Sequence, residues 1–574
     1  MTEYIPGAKR LVDSLTSCGV EKIFGVPGDT GIFFYDELAS TCDRIHHILA
    51  RDERHAAYMA DGYARSSGKL AACEASSGAG AVYTASGLAE AYASSIPVLV
   101  ITTDIHRRSR GSGAVTEIDQ LALFSGVTKW ARLVESAEDI SSSVSMAVKE
   151  ATTGRPSPVA LIFPENVLTE PVPILPSVQQ PAPAEKLRAD FYAVNEAVEI
   201  LASASAPAIL AGGGIHMGGA WSELLMLAEN SAIPVATSIH GKSSFPESHK
   251  LSLGVAGGNG CRGYANKYLA NSDAVLMVGT RANATDTNGF TAPPRSGGCR
   301  VIGVDIDPTR AGRNYPNSVS LVGDAATVLR QLREALPAAS SSTLRERHAA
   351  IERHRADWQL EEQFKDLSPL DEGMCQPREV VQILHSVFGP EAWVVADPGT
   401  PTPNLSAYWE SAGRGWRVVI PRGIGPMGYA ISAAIGVALA HPGQRILCLT
   451  TESSLAMGIA DWETAQRLGL PITYVVLDNT SMAWIKMLQH LFTGARYFGV
   501  DPGPLDPVTL ARGMGIVAAA ASDSSELEKL AKDSLKAEGP RTIHVRVPEH
   551  ISSPPPVTSW QAVLGGTSSE RPVY

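Results

Sequence analysis

Short apolar runs rich in β-branched residues recur along the chain, and longer stretches of helical character separate them. VEKIFGV and IPVLVIT bracket AYMADGYARSSG in the first third, APAILAGGG, DAVLMVGT and RVIGVDI mark the middle, and AWVVAD, RILCLT and PITYVVLD mark the last third. Continuously apolar strands are buried on both faces, and strands that alternate with helices assemble into parallel sheets, so the pattern predicts α/β domains. The longest apolar runs, Ile96–Thr102 and Pro471–Leu477, have strand length and are too short to span a membrane.

Two seams interrupt the rhythm. EPVPILPSVQQPAPAEK (170–186) is proline-rich and polar, as exposed linkers are, and STLRERHAAIERHRADWQLEEQFKD (342–366) is a charged helical stretch leading into the last third. At 574 residues the chain exceeds the size at which a single core stops growing. The expected fold is therefore α/β with three doubly wound parallel-sheet domains near 1–180, 187–340 and 365–550, and a tail at 551–574. That tail, rich in Ser, Pro and Gly, reads either as a loose terminus or as a strap across a neighbouring surface. The first and last thirds each carry a strand followed by a glycine-rich turn and are expected to be related folds.

Charge and cysteine content narrow the function classes. The 59 acidic and 48 basic residues give a net charge of −11 without any block of five or six like charges, which argues against nucleic-acid or membrane-surface partners. Seven scattered cysteines without CxxC spacing read as buried thiols in a reducing cytoplasm. MTEYIPGAKRLVDSL has no uninterrupted apolar segment of the kind a secretory signal needs, so the expected location is cytoplasmic.

Candidate chemistry lies at two helix starts. RILCLT ends at Thr450, and Glu452, Ser453 and Ser454 follow where a helix is expected to begin. A carboxylate at the end of a strand suits a divalent ion that bridges to an anionic ligand. Asn479 lies 27 residues beyond Glu452, room for a helix and a returning strand, so both can meet at the sheet edge where open α/β sheets bind ligands. Taken alone, Glu452 is an ordinary helix cap. Glu53 is likewise an ordinary first-turn acid of the amphipathic helix in ARDERHAAYMADGYARSSGK.

In order and spacing, however, these segments resemble the thiamine diphosphate (ThDP)-dependent enzymes of the acetolactate synthase family. Thr451-Glu452-Ser453 through Asp478-Asn479 resembles their cofactor motif, which is usually Gly-Asp-Gly followed by Asn-Asn. The resemblance implies Mg²⁺ held by Glu452, Asn479 and the Ser481 carbonyl, a set of oxygen ligands that fits this ion. It departs from the pattern in that Glu adds roughly 1.5 Å of reach over Asp, and Thr451 and Ser453 exclude any geometry that needs positive φ. MADGYAR resembles the segment that follows the family's catalytic glutamate, which places that role on Glu53, with Asp52 where His is usual. There Glu53 hydrogen-bonds the aminopyrimidine and favours the tautomer that removes the C2 proton. In VVIPRGIGPMGYAISAAIGVALA, Met427 matches the apolar side chain that props the two cofactor rings into a bent conformer, and Gly425 a carbonyl partner of the aminopyrimidine. Gly399, Thr400, Ser453, Ser454 and Met482 complete the implied cofactor-binding set.

The resemblance covers nearly the whole chain and implies a first domain for the pyrimidine, a central domain, and a third for the diphosphate and metal. Sites built from two subunits make a homodimer or homotetramer the expected assembly. Several relatives hold FAD in the central domain, but GGGIHMGG is not a dinucleotide fingerprint, so the sequence leaves FAD open. The implied reaction is decarboxylation of a pyruvate-like 2-oxo acid and carboligation of the resulting enamine to a carbonyl acceptor. The substrate face departs from the family. Val115-Thr116 replaces Phe-Gln, which makes Thr116 the shorter polar group near the thiazolium, and Tyr83 stands where an amide is common. Asp29 occupies the place of an acid that protonates the enamine in simple decarboxylases, although Asp after Gly also suits a plain turn. Ile485 stands where those decarboxylases carry glutamate, which favours ligation. His106, Arg107, Arg108 and Arg110 read either as a solvated loop or as a clamp for a substrate anion. A non-ligating decarboxylase, a 2-hydroxy ketone lyase and a non-catalytic binding protein are the rival readings.

Overall fold

Eighteen strands, the eight apolar runs among them, form three parallel six-stranded sheets, each buried between helices. The computed structural model describes residues 3–174, 185–363 and 370–572, apart from 317 and 414. The linker expected at 170–186 lies outside the described residues from 175 to 184, and so do residues 364–366 of the charged stretch.

The N-terminal sheet contains β1 (Lys22–Gly25), β2 (His46–Leu49), β3 (Ala71–Ala75), β4 (Val98–Asp104), β5 (Trp130–Leu133) and β6 (Val159–Pro164). Its strand order is β2-β1-β3-β4-β6-β5. The helices that matter for the site are α1 (Ile32–Ala39), α2 (Glu53–Ser67) and α3 (Ala79–Ser94). The central sheet contains β7 (Pro207–Ala211), β8 (Val235–Thr237), β9 (Ser252–Val255), β10 (Ala274–Val278), β11 (Arg300–Asp305) and β12 (Val319–Val322). Its order, β9-β8-β7-β10-β11-β12, is that of dinucleotide-binding sheets, with a switch point between β7 and β10. The charged stretch forms α4 (Ser341–Gln363).

The C-terminal sheet contains β13 (Trp393–Ala396), β14 (Val418–Val419), β15 (Ile446–Thr451), β16 (Ile472–Asp478), β17 (Val517–Ala521) and β18 (Arg541–Arg546). Its order, β14-β13-β15-β16-β18-β17, repeats that of the N-terminal sheet strand for strand, so these two domains share one topology. Helices α5 (Tyr429–Ala440), α6 (Glu452–Gly458), α7 (Ala483–Phe492) and α8 (Thr558–Leu564) belong to this part. Helix α8 makes the tail a strap: Trp560 is fully buried, edge-on to Trp484 and Phe492 of α7.

Helices α2 and α5 pack so closely that one core runs through both outer domains. A side chain at Gly436 would put its Cβ 2.0 Å from the Met59 carbonyl oxygen, and one at Gly62 would lie 2.3 Å from that of Ala433. Among the described residues, no helix is long and apolar enough to cross a membrane.

Candidate active site

On the N-terminal side, Asp52 caps α2 by accepting from the Arg54 N–H at 2.8 Å, which fixes Glu53 as the first helical residue. The Glu53 carboxyl is partly buried, and that burial, with the Asp52 charge as a lesser cause, holds its pKa above the usual carboxylate value. Gly80, in the first turn of α3, leaves it room, since an added Cβ there would sit 3.1 Å from Glu53 Oε1. Thr116 adopts a φ of 70° and packs over Gly78, where a Cβ would fall 2.7 Å from the threonine Cβ. Gly78, itself at φ 68°, therefore admits no side chain. The Thr116 hydroxyl lies 2.8 Å from Ser77 Oγ, and Val115 beside it is 89% exposed. Asp29 is exposed in the turn after β1, where its Oδ1 accepts from the Thr30 N–H at 2.8 Å.

On the C-terminal side, β13, β15 and β16 deliver their ends to one edge. Thr451 caps α6 by accepting from the Ser454 N–H at 3.2 Å, with φ −115°, so Thr451 and Ser453 stand in place of two glycines without backbone strain. Glu452 is buried; its Oε1 accepts from Ser453 Oγ at 3.1 Å, and its Oε2 has no hydrogen-bond partner. Burial, and after it the Asp478 carboxylate, push the Glu452 pKa up to about 7. Asn479 is also buried, donating from Nδ2 to Thr400 Oγ1 at 3.3 Å and accepting at Oδ1 from the Ser481 N–H at 3.3 Å. Glu452, Asn479, Ser481 and Thr400 thus form one cluster. Among the described residues no three His, Cys, Asp or Glu side chains are grouped to hold a metal. This cluster offers one carboxylate plus neutral oxygens, and an orphaned buried carboxylate oxygen beside amide and hydroxyl oxygens fits a hard divalent cation. Ser454 Oγ is likewise buried without a partner. Gly399 heads the turn into Thr400 with open space where a side chain would stand, and Met482 ties its N–H to the Val500 carbonyl at 2.7 Å.

Gly425 and Met427 lie on a loop that the N-terminal domain holds. Glu90 of α3 accepts from the N–H groups of Gly423, Ile424 and Gly425 at 2.9, 2.8 and 3.3 Å. The carboxyls of Glu53 and Glu452 have separate surroundings: Glu53 faces Asp52, Glu74 and Gly80, while Glu452 faces Ser453, Asp478 and Asn479. The basic cluster is matched by acids, Arg107 to Glu170 and Arg110 to Glu135. A cavity of about 270 Å³ opens at the switch point of the central sheet, lined by Gly213, Gly214, Gly279, Arg281 and Asp305 and reaching Arg155 of the first domain.

Comparison with known proteins identifies this arrangement. Residues 5–123, 194–332 and 397–545 match the N-terminal TPP-binding, central and C-terminal TPP-binding domains of thiamine pyrophosphate enzymes. The acetolactate synthase of Arthrospira platensis is 32% identical over 558 residues, 95% of this chain and 94% of that protein. The chain belongs to the acetolactate synthase family of thiamine pyrophosphate enzymes. A probable acetolactate synthase large subunit of Methanocaldococcus jannaschii is 31% identical, covering 94% of this chain and 91% of that protein. The isozyme 3 large subunit of Escherichia coli is 30% identical over 93% of each. The protein is thus a thiamine diphosphate-dependent enzyme, acetolactate synthase-like and of transferase type.

Sequence reasoning missed two features of this family member. Glu90 was unread because its role appears only when another domain reaches it. Glu74, fully buried in β3, left one signal: it is the only charged residue in the strand AACEA.

Proposed function

We propose that the enzyme uses ThDP and Mg²⁺ to decarboxylate a pyruvate-like 2-oxo acid and to join the freed carbon to a carbonyl acceptor. The observation that carries this reading is the orphaned Glu452 Oε2 in a cluster with Asn479 and Ser481, a set that would hold Mg²⁺ against a diphosphate. Bound ThDP supplies the carbon nucleophile and the electron sink for loss of CO₂. Glu53 would hold a proton at the cofactor's pyrimidine nitrogen, and its burial, which raises its pKa above the usual carboxylate value, works in that direction. Met427 and Gly425 would meet the rings, and Gly399, Thr400, Ser453, Ser454 and Met482 would line the diphosphate side. Thr116 would meet the substrate. Asp29 is spent on its own turn, and Ile485, 42% exposed, offers no proton, so ligation is favoured over simple protonation.

The separate surroundings of Glu53 and Glu452 support sites shared between subunits of a homodimer or homotetramer. Seven free cysteines support a cytoplasmic setting. The crevice at the central switch point, with Arg281 and Arg155 at hand for a diphosphate, supports a dinucleotide such as FAD.

The test is incubation with pyruvate, ThDP and Mg²⁺, with and without aldehyde or oxo-acid acceptors, and products followed by mass spectrometry. A 2-hydroxy ketone is expected from an aldehyde acceptor and a branched 2-hydroxy-3-oxo acid from an oxo-acid acceptor. Acetaldehyde as the sole product would remove the ligase reading. Flavin absorbance in the purified protein tests the central crevice, and a colourless protein that takes up no added FAD would count against it.

A further inference from the structure

Beneath Glu53 a file of polar side chains crosses the N-terminal domain, and neither the cofactor-facing set nor the metal cluster uses it. It starts at the half-buried Thr116, whose hydroxyl lies 2.8 Å from Ser77 Oγ. Ser77 Oγ lies 3.3 Å from Thr30 Oγ1, which lies 2.7 Å from Thr103 Oγ1. At the other end the partly buried His47, on the edge strand β2, has its Nε2 3.0 Å from the Tyr35 hydroxyl, and that hydroxyl donates to Glu74 Oε2. The middle of the file is deeply buried: Ser77, Thr30, Thr103 and Glu74 are all shielded from solvent.

The two halves face each other across Gly31. A Cβ added there would lie 3.3 Å from Glu74 Oε1 and 3.8 Å from Thr103 Oγ1. Glu74 Oε1 is buried without a hydrogen-bond partner, on the same face of the sheet as Thr103. An unsatisfied carboxyl oxygen inside a domain is costly unless it serves a purpose. Burial raises the Glu74 pKa to about 8, so this carboxyl carries a proton at neutral pH. The titratable groups that face it are Tyr35 from α1, whose hydroxyl burial holds protonated, and Glu53 from α2. His47, lowered to about 4 by burial and next by Arg467, is a neutral imidazole. Every member of the file therefore carries both a donor and an acceptor, which is what proton transfer along a line of groups requires.

The proposed reaction needs such a line. Loss of CO₂ from a 2-oxo acid anion breaks a carbon–carbon bond and leaves an electron pair on carbon. That pair ends in a new carbon–carbon bond, with the acceptor's carbonyl oxygen becoming a hydroxyl, or in a carbon–hydrogen bond. In either case one proton is taken from solvent for each CO₂ released. We propose that the file from His47 through Tyr35, Glu74, Thr103, Thr30 and Ser77 to Thr116 delivers this proton to the substrate face. The inference rests on the decarboxylation reading above.

Tyr35→Phe and Thr103→Val each remove one hydroxyl at almost constant volume, and Gly31→Ala, at a φ of −98° that alanine adopts freely, sets a methyl between the two halves. In the ThDP- and Mg²⁺-loaded enzyme, each variant is expected to lose about tenfold or more in kcat. KM for the 2-oxo acid and the calorimetric affinity for ThDP should stay unchanged, and the solvent deuterium isotope effect on kcat should rise. A purely structural role would not move the isotope effect. Variants that keep wild-type kcat and isotope effect overturn the file while leaving the decarboxylation reading intact. A wild-type enzyme that releases no CO₂ from any 2-oxo acid overturns both.

Discussion

Glu53 and Glu452 both sit at the first position of a helix, and their surroundings give them different work. Glu53 keeps an open side next to Gly80, while Glu452 is closed in with an oxygen that lacks a partner. Glu53→Gln, which preserves shape but not acidity, is expected to bind ThDP with Mg²⁺ in calorimetry yet lose about 100-fold or more in turnover. Glu452→Ala should instead abolish the Mg²⁺ dependence of ThDP binding. Glu74 adds a pH signature. Its pKa stands at about 8 against an ordinary value of 4.5, so the native state binds this proton more tightly than the unfolded chain. Its contribution to stability is therefore fully present below the ordinary value and is lost as pH rises through the folded one. The thermal midpoint of Glu74→Gln, compared at pH 5 and pH 8, is expected to fall less than that of the wild type. Equal falls would show that Glu74 does not carry the effect. At this scale the motif residues could be proposed from the sequence because their order and spacing resemble those of the family. Glu74 showed only as a charge in an apolar strand, and its partners Tyr35 and Thr103 could not be named, because they come from other elements.

The junction of α2 and α5 is the element on which the outer domains depend. The sequence run AISAAIGVALA announces a small-residue helix built for close packing, and the structure supplies its partner, the MADGYAR helix. Gly436→Ala would drive a methyl into the Met59 carbonyl, and overpacking of this kind costs about 1–3 kcal/mol. A lowered unfolding temperature is expected, together with faster hydrogen exchange in α2. Unchanged exchange there would mean that the helices separate without cost. The Glu90 clamp on Gly423–Gly425 belongs to the same junction. It was hidden in the sequence because it joins residues more than 300 positions apart.

For the whole molecule the test of shared sites is complementation. Glu53→Gln and Glu452→Ala chains are each inactive in the proposed scheme. If a site takes one carboxyl from each subunit, half of randomly mixed dimers are mixed, and each of those has one of its two sites intact. Unfolding and refolding the two variants together should then restore roughly a quarter of wild-type activity. No recovery would place both carboxyls of a site in one chain.

Local pattern by itself determined the class of this protein. Apolar runs of strand length alternating with helices bury themselves as parallel sheets, whereas the helix-start acids taken alone read as ordinary caps and pointed to a ligand only through the family resemblance. The tertiary structure decided what depends on residues far apart in the chain. It gave the outer sheets one strand order and the central sheet another, turned the tail into a strap anchored by Trp560, occupied Arg107 and Arg110 with acids, and lined up hydroxyls from the turn after β1, the turn after β3, β4 and the Thr116 loop beside a buried carboxyl of β3. The reason is physical: periodicity reports which face of an element is buried, whereas burial of a charge or alignment of hydroxyls is set by whichever neighbours the packing brings within about 3 Å.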